Sequence, residues 1–410
     1  RILKRRTVSK ELADQHRVYV NGRVAKPSTD VNPGDEIRVI FGYRELCVRV
    51  LQTPKQVSKS DAALMFEVLE EKRIEPEKPE ISYNLALVLK DLGDYEEALG
   101  LMFNAHQRAP EREEFAAGIM ETLTGLAANN AELALKIAEN WQKIEPDNVF
   151  SRRILAGISG MPAESDDDRL YAEKLFDNFA ATYDETLERL NPQITAEFLR
   201  QYGAVKGTVL DLGCGTGLAA QALKTADSIF DGADISAKML EAARRKGVYR
   251  SLYQADVTAL LQDMAAGAAE MPAGTEANTA VPHNGYTLII AFDVFCYMGN
   301  LEDVLSAAAD LMRRADGKQA ESRKTKAAPS SDNGTPELWF TTESADEERG
   351  NDFYLTAAGR YKHRRQYVEK ALQKAGFTEI DAYPLTLRQE NGADVPGVLF
   401  RAANPGKGGN

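Results

Sequence analysis

The sequence predicts a multidomain α/β protein with three parts: a small α+β module, an α-helical segment, and a doubly wound, mostly parallel sheet. Three observations support this prediction. The chain has 410 residues, of which 43% are apolar, which is enough for two to four packed domains. Residues 81–157 read as helices. Thr208–Gly217 reads Thr-Val-Leu-Asp-Leu-Gly-Cys-Gly-Thr-Gly, which is typical of a strand buried on both faces and followed by a glycine turn.

The charge of the chain is unevenly distributed. Residues 1–60 hold 13 lysines and arginines against 6 acidic residues, a net charge of +7, whereas the whole chain carries −12. The remainder is therefore strongly acidic, at −19. A basic module on an acidic body favours contact between the first module and a polyanion. A basic face that is merely solvated is the alternative.

The N-terminal module has a short, regular order of predicted elements. Thr7–Asp14 is expected to form a helix that Thr7 caps. Val18–Val24 predicts two short strands joined by an Asn-Gly turn, and Asp30–Ile40 predicts a further turn and strand. Residues 1–74, with this order, resemble the S-four-type RNA-binding domain, and within that family the RqcP and heat-shock-protein-fifteen group. Members normally begin with one more helix, so the module is expected to be truncated at its N-terminus.

This resemblance implies that residues 1–60 bind RNA, ribosomal or transfer RNA, in the manner of factors that act on stalled ribosomes. Basic side chains of the module are the candidate phosphate contacts, which position RNA without reading its sequence. These candidates are Lys4, Arg5, Arg6, Lys10, Arg17, Arg23 and Lys26.

A charged, proline-bearing stretch at Glu70–Glu80 predicts a linker, which we assign to residues 75–80. Residues 81–163 follow as the helical segment. Tyr83–Leu99 resembles a tetratricopeptide repeat, and a fainter second copy follows at an offset of about 36 residues. The segment is expected to serve as a structural spacer, and peptide binding is the alternative.

The glycine turn is chemically informative because of the acidic residues around it. Its glycines are spaced two and two, at Gly213, Gly215 and Gly217. A dinucleotide fingerprint requires two and three. Asp211, just ahead of the turn, would repel a diphosphate but suits a cationic ligand. Asp234 and Asp256 end the next two predicted strands, and the carboxylate of Asp234 can accept hydrogen bonds from both ribose hydroxyls. The alternative is that a tight strand-to-helix turn simply requires glycine.

This ordered series resembles the class I S-adenosylmethionine-dependent methyltransferases, over roughly Tyr171–Phe400. The resemblance implies a Rossmann-like sheet and S-adenosyl-L-methionine as cofactor. It further implies that Asp211 and the glycines hold the methionine end of the cofactor, Asp234 the ribose and Asp256 the adenine amino group. Tyr183 is expected to face the sulfonium. The domain is assigned to residues 164–403, with insertions at 264–284 and 316–336 and a tail at 404–410.

Asp293 is the candidate catalytic residue, because it lies in the loop beyond the predicted fourth strand, Tyr286–Ala291. It could orient the methyl acceptor, accept its proton, or only cap a turn. Arg360, Tyr361 and His363 are weaker acceptor-pocket candidates, for which packing is the alternative. The loop has no Asn/Asp-Pro-Pro-aromatic signature, so a small molecule or a protein side chain is favoured as acceptor over a nucleic-acid base.

Several classes of function are disfavoured by composition. No stretch approaches 18 apolar residues, so a membrane span is not expected. The three cysteines and four histidines are scattered, which predicts no metal site and a reducing, cytoplasmic setting. Two hypotheses remain: an active methyltransferase tethered to RNA or the ribosome, or a ribosome-associated RNA-binding factor of translation quality control whose methyltransferase-like half is not catalytic. The oligomeric state is left open.

Overall fold

The computed structural model of the protein describes residues 12–13, 18–41, 44–54, 64–73, 78–160, 165–184, 193–267, 285–324, 335–346, 350–390 and 393–406. These residues fall into two compact units. One comprises residues 1–89 and 100–109, and the other comprises residues 90–99 and 110–410. No helix in the described part of the chain is both long and apolar enough to cross a bilayer.

The first unit contains a five-stranded antiparallel sheet in the order β2-β1-β3-β4-β5. The strands are β1 Val18–Val20, β2 Arg23–Val24, β3 Glu36–Phe41, β4 Arg44–Val50 and β5 Phe66–Arg73. Asn21 and Gly22 both have positive φ, 48° and 79°, as a two-residue hairpin turn requires. The predicted Asn-Gly turn is therefore confirmed. Strand β5 occupies the first residues of the charged stretch Glu70–Glu80 and the next helix begins at Pro79. The assignment of a linker to residues 75–80 stays a prediction.

The helical segment follows as a series of α-helices, two of which begin at an asparagine N-cap. These are α1 Pro79–Asp91, α2 Tyr95–Arg108, α3 Glu113–Asn129, α4 Ala131–Ile144 and α5 Val149–Ser159. The side chain of Asn130 accepts a hydrogen bond from Leu133 N at the start of α4, and Asn148 caps α5 in the same way. The helical prediction for residues 81–157 is confirmed. The assignment of these helices to tetratricopeptide repeats stays a prediction.

The second unit is built on a mixed, mostly parallel sheet. The order is β11-β12-β10-β9-β6-β7-β8, with β14 antiparallel to β10 and β13 antiparallel to β14. Its strands are β6 Gly207–Leu212, β7 Ser228–Asp234, β8 Tyr249–Gln254, β9 Leu288–Ala291, β10 Glu337–Ser344, β11 Phe353–Leu355, β12 Tyr361–His363, β13 Phe377–Glu390 and β14 Ala393–Pro405. The chain proceeds to one side of β6 through β7 and β8, then returns to its other side at β9. This reversal is the topological switch point of a doubly wound fold, as predicted.

Helices cover both faces of this sheet. They are α6 Ser165–Phe179, α7 Gln193–Tyr202, α8 Leu218–Leu223, α9 Ala237–Lys246, α10 Val257–Ala266, α11 Glu302–Lys324 and α12 Arg365–Ala375. Alternate residues along a strand enter different apolar clusters: Leu210 and Ile289 pack in one, Val209 and Ile290 in the other. Because side chains alternate between the two faces of a strand, both faces are buried.

Helices of the described part of the chain overlap the predicted starts of both insertions. Helix α10 runs to Ala266, and α11 continues to Lys324, well past residue 316. Residues 268–284 and 325–334 lie outside the described residues. The tail prediction is also corrected, because β14 extends to Pro405. The finer domain boundaries stay predictions.

Candidate functional site

A cavity of about 630 Å³ opens where β6, β7 and β9 end. Its walls come from α6, from the glycine turn after β6, from the starts of the segments after β7 and β8, and from the loop after β9. Six of the sequence-predicted site residues line it, namely Tyr183, Gly213, Gly215, Asp234, Asp256 and Asp293. The crevice beyond the carboxyl ends of the strands at a switch point is where doubly wound sheets bind ligands.

The glycine turn is shaped by close packing as well as by conformation. Gly213 and Gly215 have φ of 61° and 53°, in the left-handed region that favours glycine. A Cβ at position 213 would overlap the side chain of Val294, and one at position 215 would lie 3.6 Å from the ring of Tyr183. Gly217, with φ 89°, precedes α8 and is not among the lining residues. The turn therefore presents bare backbone to the cavity.

Asp234 holds this turn in place. One carboxylate oxygen accepts a hydrogen bond from Gly215 N at 2.8 Å, and the other accepts one from Ser236 N at 2.9 Å. Burial raises the pKa of Asp234 to about 6, and the backbone hydrogen bonds oppose that rise. The same carboxylate also lines the cavity, so the residue that positions the turn is available to a ligand.

Asp256 is the N-cap of α10. Its Oδ1 accepts hydrogen bonds from the backbone N–H groups of Thr258 and Ala259, both at 3.0 Å. These bonds fix the carboxyl group at the rim of the cavity that it lines.

Asp211 is the one predicted cofactor-binding carboxylate that is not among the residues lining the cavity. It is buried, and its Oδ2 accepts a hydrogen bond from the hydroxyl of Tyr249 at 2.6 Å. Burial raises the pKa of Asp211 to about 7. The ring of Tyr249 lies 2.9 Å from the position of a Cβ at Gly217, so the Asp211–Tyr249 pair packs against the glycine turn. A direct role for Asp211 at the methionine end of the cofactor stays a prediction.

The short segment 181–184 is tied to the glycine turn. The hydroxyl of Thr216 donates to Asp184, and the ammonium of Lys246 pairs with the same carboxylate at 2.7 Å. Within the segment, Tyr183 meets Phe176 edge to face, with ring centroids 6.2 Å apart. Burial raises the pKa of Tyr183, so its hydroxyl is neutral. An aromatic ring is thereby held beside Gly215.

Asp293 occupies a constrained position in the loop after β9. Its φ of 59° lies in the left-handed region, which is costly for a residue with a side chain. Its backbone N–H donates to Thr341 Oγ1 at 2.8 Å, and its Oδ1 pairs with Arg388 at 2.7 Å. The residue lines the cavity, and its side chain is 30% exposed. Arg388 was not predicted, since nothing near it in the sequence marks a site.

Several other residues of the cavity wall were not predicted as site residues from the sequence. Helix α6 contributes Asp166, Asp168 and Phe176, and the stretch after β9 contributes Tyr297 and Asp303. Of the described residues that line the cavity, six are aspartates and one is an arginine, so its wall is strongly acidic.

The weaker acceptor-pocket candidates lie behind this wall and do not line it. The hydroxyl of Tyr361 donates to Asp168 at 3.1 Å, and His363 Nε2 lies 2.9 Å from the carbonyl of Met298. Arg360 pairs with Glu343 at 2.9 Å. These three residues therefore support the wall, in line with the packing alternative.

The candidate RNA contacts are only partly described. Lys4, Arg5, Arg6, Lys10 and Arg17 lie outside the described residues. Arg23 and Lys26 are exposed, on β2 and in the turn after it. No cluster of three or more His, Cys, Asp or Glu side chains suited to a metal ion occurs in the part of the chain that the structure describes.

Comparison with known families matches two separate parts of the chain. Residues 210–318 match a methyltransferase domain family, and residues 1–37 match the S4 domain family. The RQC P-site tRNA stabilizing factor of Streptococcus pneumoniae is 48% identical over 75 residues, which are 18% of this chain and 85% of that protein. The factor of the same name from Bacillus subtilis is 45% identical over 74 residues, which are 18% of this chain and 86% of that protein.

Among solved structures, the N-methyltransferase NodS from Bradyrhizobium japonicum in complex with S-adenosyl-L-homocysteine is 18% identical. The match covers 57% of this chain and 99% of that one, with a TM-score of 0.37. The match of residues 210–318 covers the glycine turn, Asp234, Asp256 and Asp293. Through its N-terminal module the chain belongs to the family of the RQC P-site tRNA stabilizing factors, and the same chain carries a methyltransferase domain.

Proposed function

We propose that this chain is an S-adenosylmethionine-dependent methyltransferase that acts on a small molecule or a protein side chain, and that its N-terminal module tethers it to ribosomal or transfer RNA. One observation carries the enzymatic part. Gly215 follows β6, Asp234 ends β7 and Asp256 follows β8, yet all three residues line one cavity.

The residues of this cavity fit the chemistry of the cofactor. Gly213 and Gly215 would admit its methionine end against bare backbone, since neither carries a side chain there. Asp234 and Asp256 would accept hydrogen bonds from its ribose hydroxyls and its adenine amino group. The ring of Tyr183 would face the sulfonium, a contact of about 1 kcal/mol. When bound, S-adenosylmethionine supplies a methyl group that its positively charged sulfur activates toward nucleophiles.

The charge of the wall supports the proposed acceptor class. Six aspartates and one arginine are among the described lining residues, and Asp168 and Asp293 are paired with Arg153 and Arg388. The remaining excess of negative charge attracts a cationic ligand and repels a polyanion. Nucleic acid is therefore disfavoured inside the cavity, although the N-terminal module belongs to an RNA-binding family. A small molecule or a protein side chain, and in particular a basic one, suits this wall.

Asp293 is the residue that we assign to the acceptor. Methyl transfer gains most from holding a nucleophile in line with the reacting carbon, so a fixed group that orients the acceptor is valuable. A carboxylate that lines the cavity can accept a hydrogen bond from an N–H or O–H nucleophile and can take its proton. As an orienting group Asp293 needs no exceptional basicity.

The enzymatic proposal is tested in two steps. Calorimetry with S-adenosylmethionine is expected to show one site on the wild-type chain and weaker binding to D234N. Labelled-methyl transfer into cell extract, separated into RNA, protein and small molecules, is then expected to label the protein or small-molecule fraction. Absence of cofactor binding by the wild-type chain would exclude the enzyme, and label confined to RNA would overturn the acceptor class.

A second candidate function has its own support. The N-terminal module shares 45–48% sequence identity with factors named for stabilising tRNA in the P site. The chain could therefore act mainly in translation quality control in the cytoplasm, with a methyltransferase-like half that is not catalytic. Under this view the helical segment of residues 81–163 is a spacer built on tetratricopeptide-like repeats. Sedimentation with large ribosomal subunits tests the tether: cofactor binding without any RNA affinity would exclude this candidate.

A further inference from the structure

A β-bulge on β13 lies directly beside a buried charged side chain. The register between β13 and β14 shifts between Thr386 and Arg388. Leu387 is 1% exposed and Arg388, the residue after it, is 6% exposed, so both side chains are buried. Bulges re-aim side chains and are common beside functional sites.

Arg388 is the buried centre of an ion-pair network whose outer members, Asp293 and Glu390, are partly exposed. Its guanidinium contacts Asp293 at 2.7 Å and Glu390 at 2.6 Å, and it also pairs with Glu343. Arg360 pairs with the same two glutamates. The two arginines therefore share Glu343 and Glu390, and Arg388 also forms an ion pair with the cavity-lining Asp293.

The Asp293 loop is held at three points. Thr341 accepts the backbone N–H of Asp293, and Val294 packs against Gly213 closely enough to exclude a Cβ there. Arg388 holds the carboxylate itself. The left-handed backbone at Asp293 would otherwise relax, because such a conformation persists only where the surroundings determine it.

We propose that Arg388 is a positioning residue, which holds Oδ1 of Asp293 so that the carboxylate keeps one orientation toward the methyl acceptor. The inference rests on the proposed function, because it takes Asp293 as the residue that contacts the acceptor. Arg388 acts through Asp293 and does not itself line the cavity. The planar guanidinium suits this task, since it holds several carboxylates in fixed directions where a lysine ammonium cannot.

The test compares R388K with R360K. Both variants keep the positive charge and disturb the same network, but only R388K loses the guanidinium group that pairs with Asp293. With the extract fraction that the wild-type chain labels as acceptor, R388K is expected to lower kcat about tenfold to a hundredfold, the range that a displaced catalytic group produces. R360K is expected to stay near wild type. Both variants are expected to bind S-adenosylmethionine with wild-type affinity by calorimetry.

A structural readout separates positioning from general damage. Crystal structures are expected to show the Asp293 carboxylate displaced by about 1 Å or more in R388K but not in R360K. Should R388K not fold, T341V removes the hydroxyl that accepts the Asp293 N–H and is expected to lower kcat in the same direction. Equal rates for R388K and R360K, with Asp293 unmoved, overturn the inference and leave the methyltransferase proposal standing. A wild-type chain that transfers no methyl group overturns both.

Discussion

Arg153 of α5 and Asp168 of α6 form an ion pair in which the arginine side chain is fully buried. The guanidinium also donates to the carbonyl of Gly359 at 3.0 and 3.2 Å and lies over the rings of Tyr171 and Tyr361. Because Asp168 lines the cavity, a residue of the helical segment fixes one wall of the candidate site. Helix α5 is thus an integral part of the unit that holds the site.

Replacing Arg153 by methionine is expected to destabilise this unit strongly. The change leaves the partly buried carboxylate of Asp168 and the Gly359 carbonyl without the guanidinium, and breaking one side of a buried pair costs up to about 3–5 kcal/mol. Thermal denaturation measures the effect. R245A is the matched control, since Arg245 and Glu241 form a surface pair that is 70% and 65% exposed and worth less than about 1 kcal/mol. Similar Tm losses for both variants would contradict the prediction.

The sequence was sufficient to predict the parts of the site that depend on local pattern and chain order. The run Val209–Leu212 and the glycines after it determine a buried strand and a turn with positive φ, and both are present. Asp234 and Asp256 follow the next two strands, and parallel strands end at the same edge of a sheet, so their convergence on one cavity follows from the topology.

The remainder of the site depends on contacts between distant segments, which no local pattern records. Arg388, beside the bulge of β13, contacts Asp293 although the two residues are 95 positions apart in the sequence. Asp168 belongs to the wall because Arg153, in the preceding helix, holds it there. The bond from Tyr249 to Asp211 is a third contact of this kind, because the two residues are 38 positions apart.

Gly213→Ala is expected to destabilise the chain more than Gly247→Ala. Both glycines have similar positive φ, 61° and 64°, so both variants incur the left-handed penalty of about 1–2 kcal/mol. Only position 213 adds steric overlap, because its Cβ would meet Val294, whereas nothing lies within 4 Å at position 247. Overpacking of this kind costs a further 1–3 kcal/mol or so. Thermal denaturation measures the difference, and equal Tm values would show that the turn and the Asp293 loop are not interlocked.

Asp256→Asn is expected to weaken S-adenosylmethionine binding about tenfold or more, while leaving the helix intact. Asparagine is as good an N-cap as aspartate, so its amide oxygen can keep the bonds to Thr258 and Ala259. The amide nitrogen would then face the adenine amino group, donor against donor, and a lost charge-assisted hydrogen bond costs about 1.5–3 kcal/mol. Calorimetry measures the affinity. Asp263→Asn, on the exposed side of the same helix, is the control, and an equal loss there would refute the assignment.

The stability of the chain is expected to depend on pH through Asp211. Burial raises the pKa of this carboxyl from 3.8 to about 7, so the folded state prefers the protonated form. Its contribution to the free energy of unfolding is therefore fully present below about pH 4 and is lost as the pH rises toward 7, by at most about 4 kcal/mol. Asp211→Asn imitates the protonated group and still accepts the Tyr249 hydroxyl. The Tm difference between variant and wild type is expected to grow in favour of the variant from pH 5 to pH 8, and a flat difference would contradict the buried, raised-pKa assignment.

RNA binding by the N-terminal module is expected to depend on Arg23 and Lys26. Each phosphate contact releases counterions and contributes about 0.9 to the slope of log affinity against log salt concentration. The variant R23A/K26A is therefore expected to bind transfer RNA more weakly and with a slope reduced by about 2, without a change in sequence preference. Filter binding at several salt concentrations gives the slope. R49A is the matched control from the same sheet, because Arg49 is already paired with Glu36 at 3.0 Å and Glu67 at 3.8 Å. A slope that falls equally in R49A would mean that the net charge of the module, and not these two positions, determines binding.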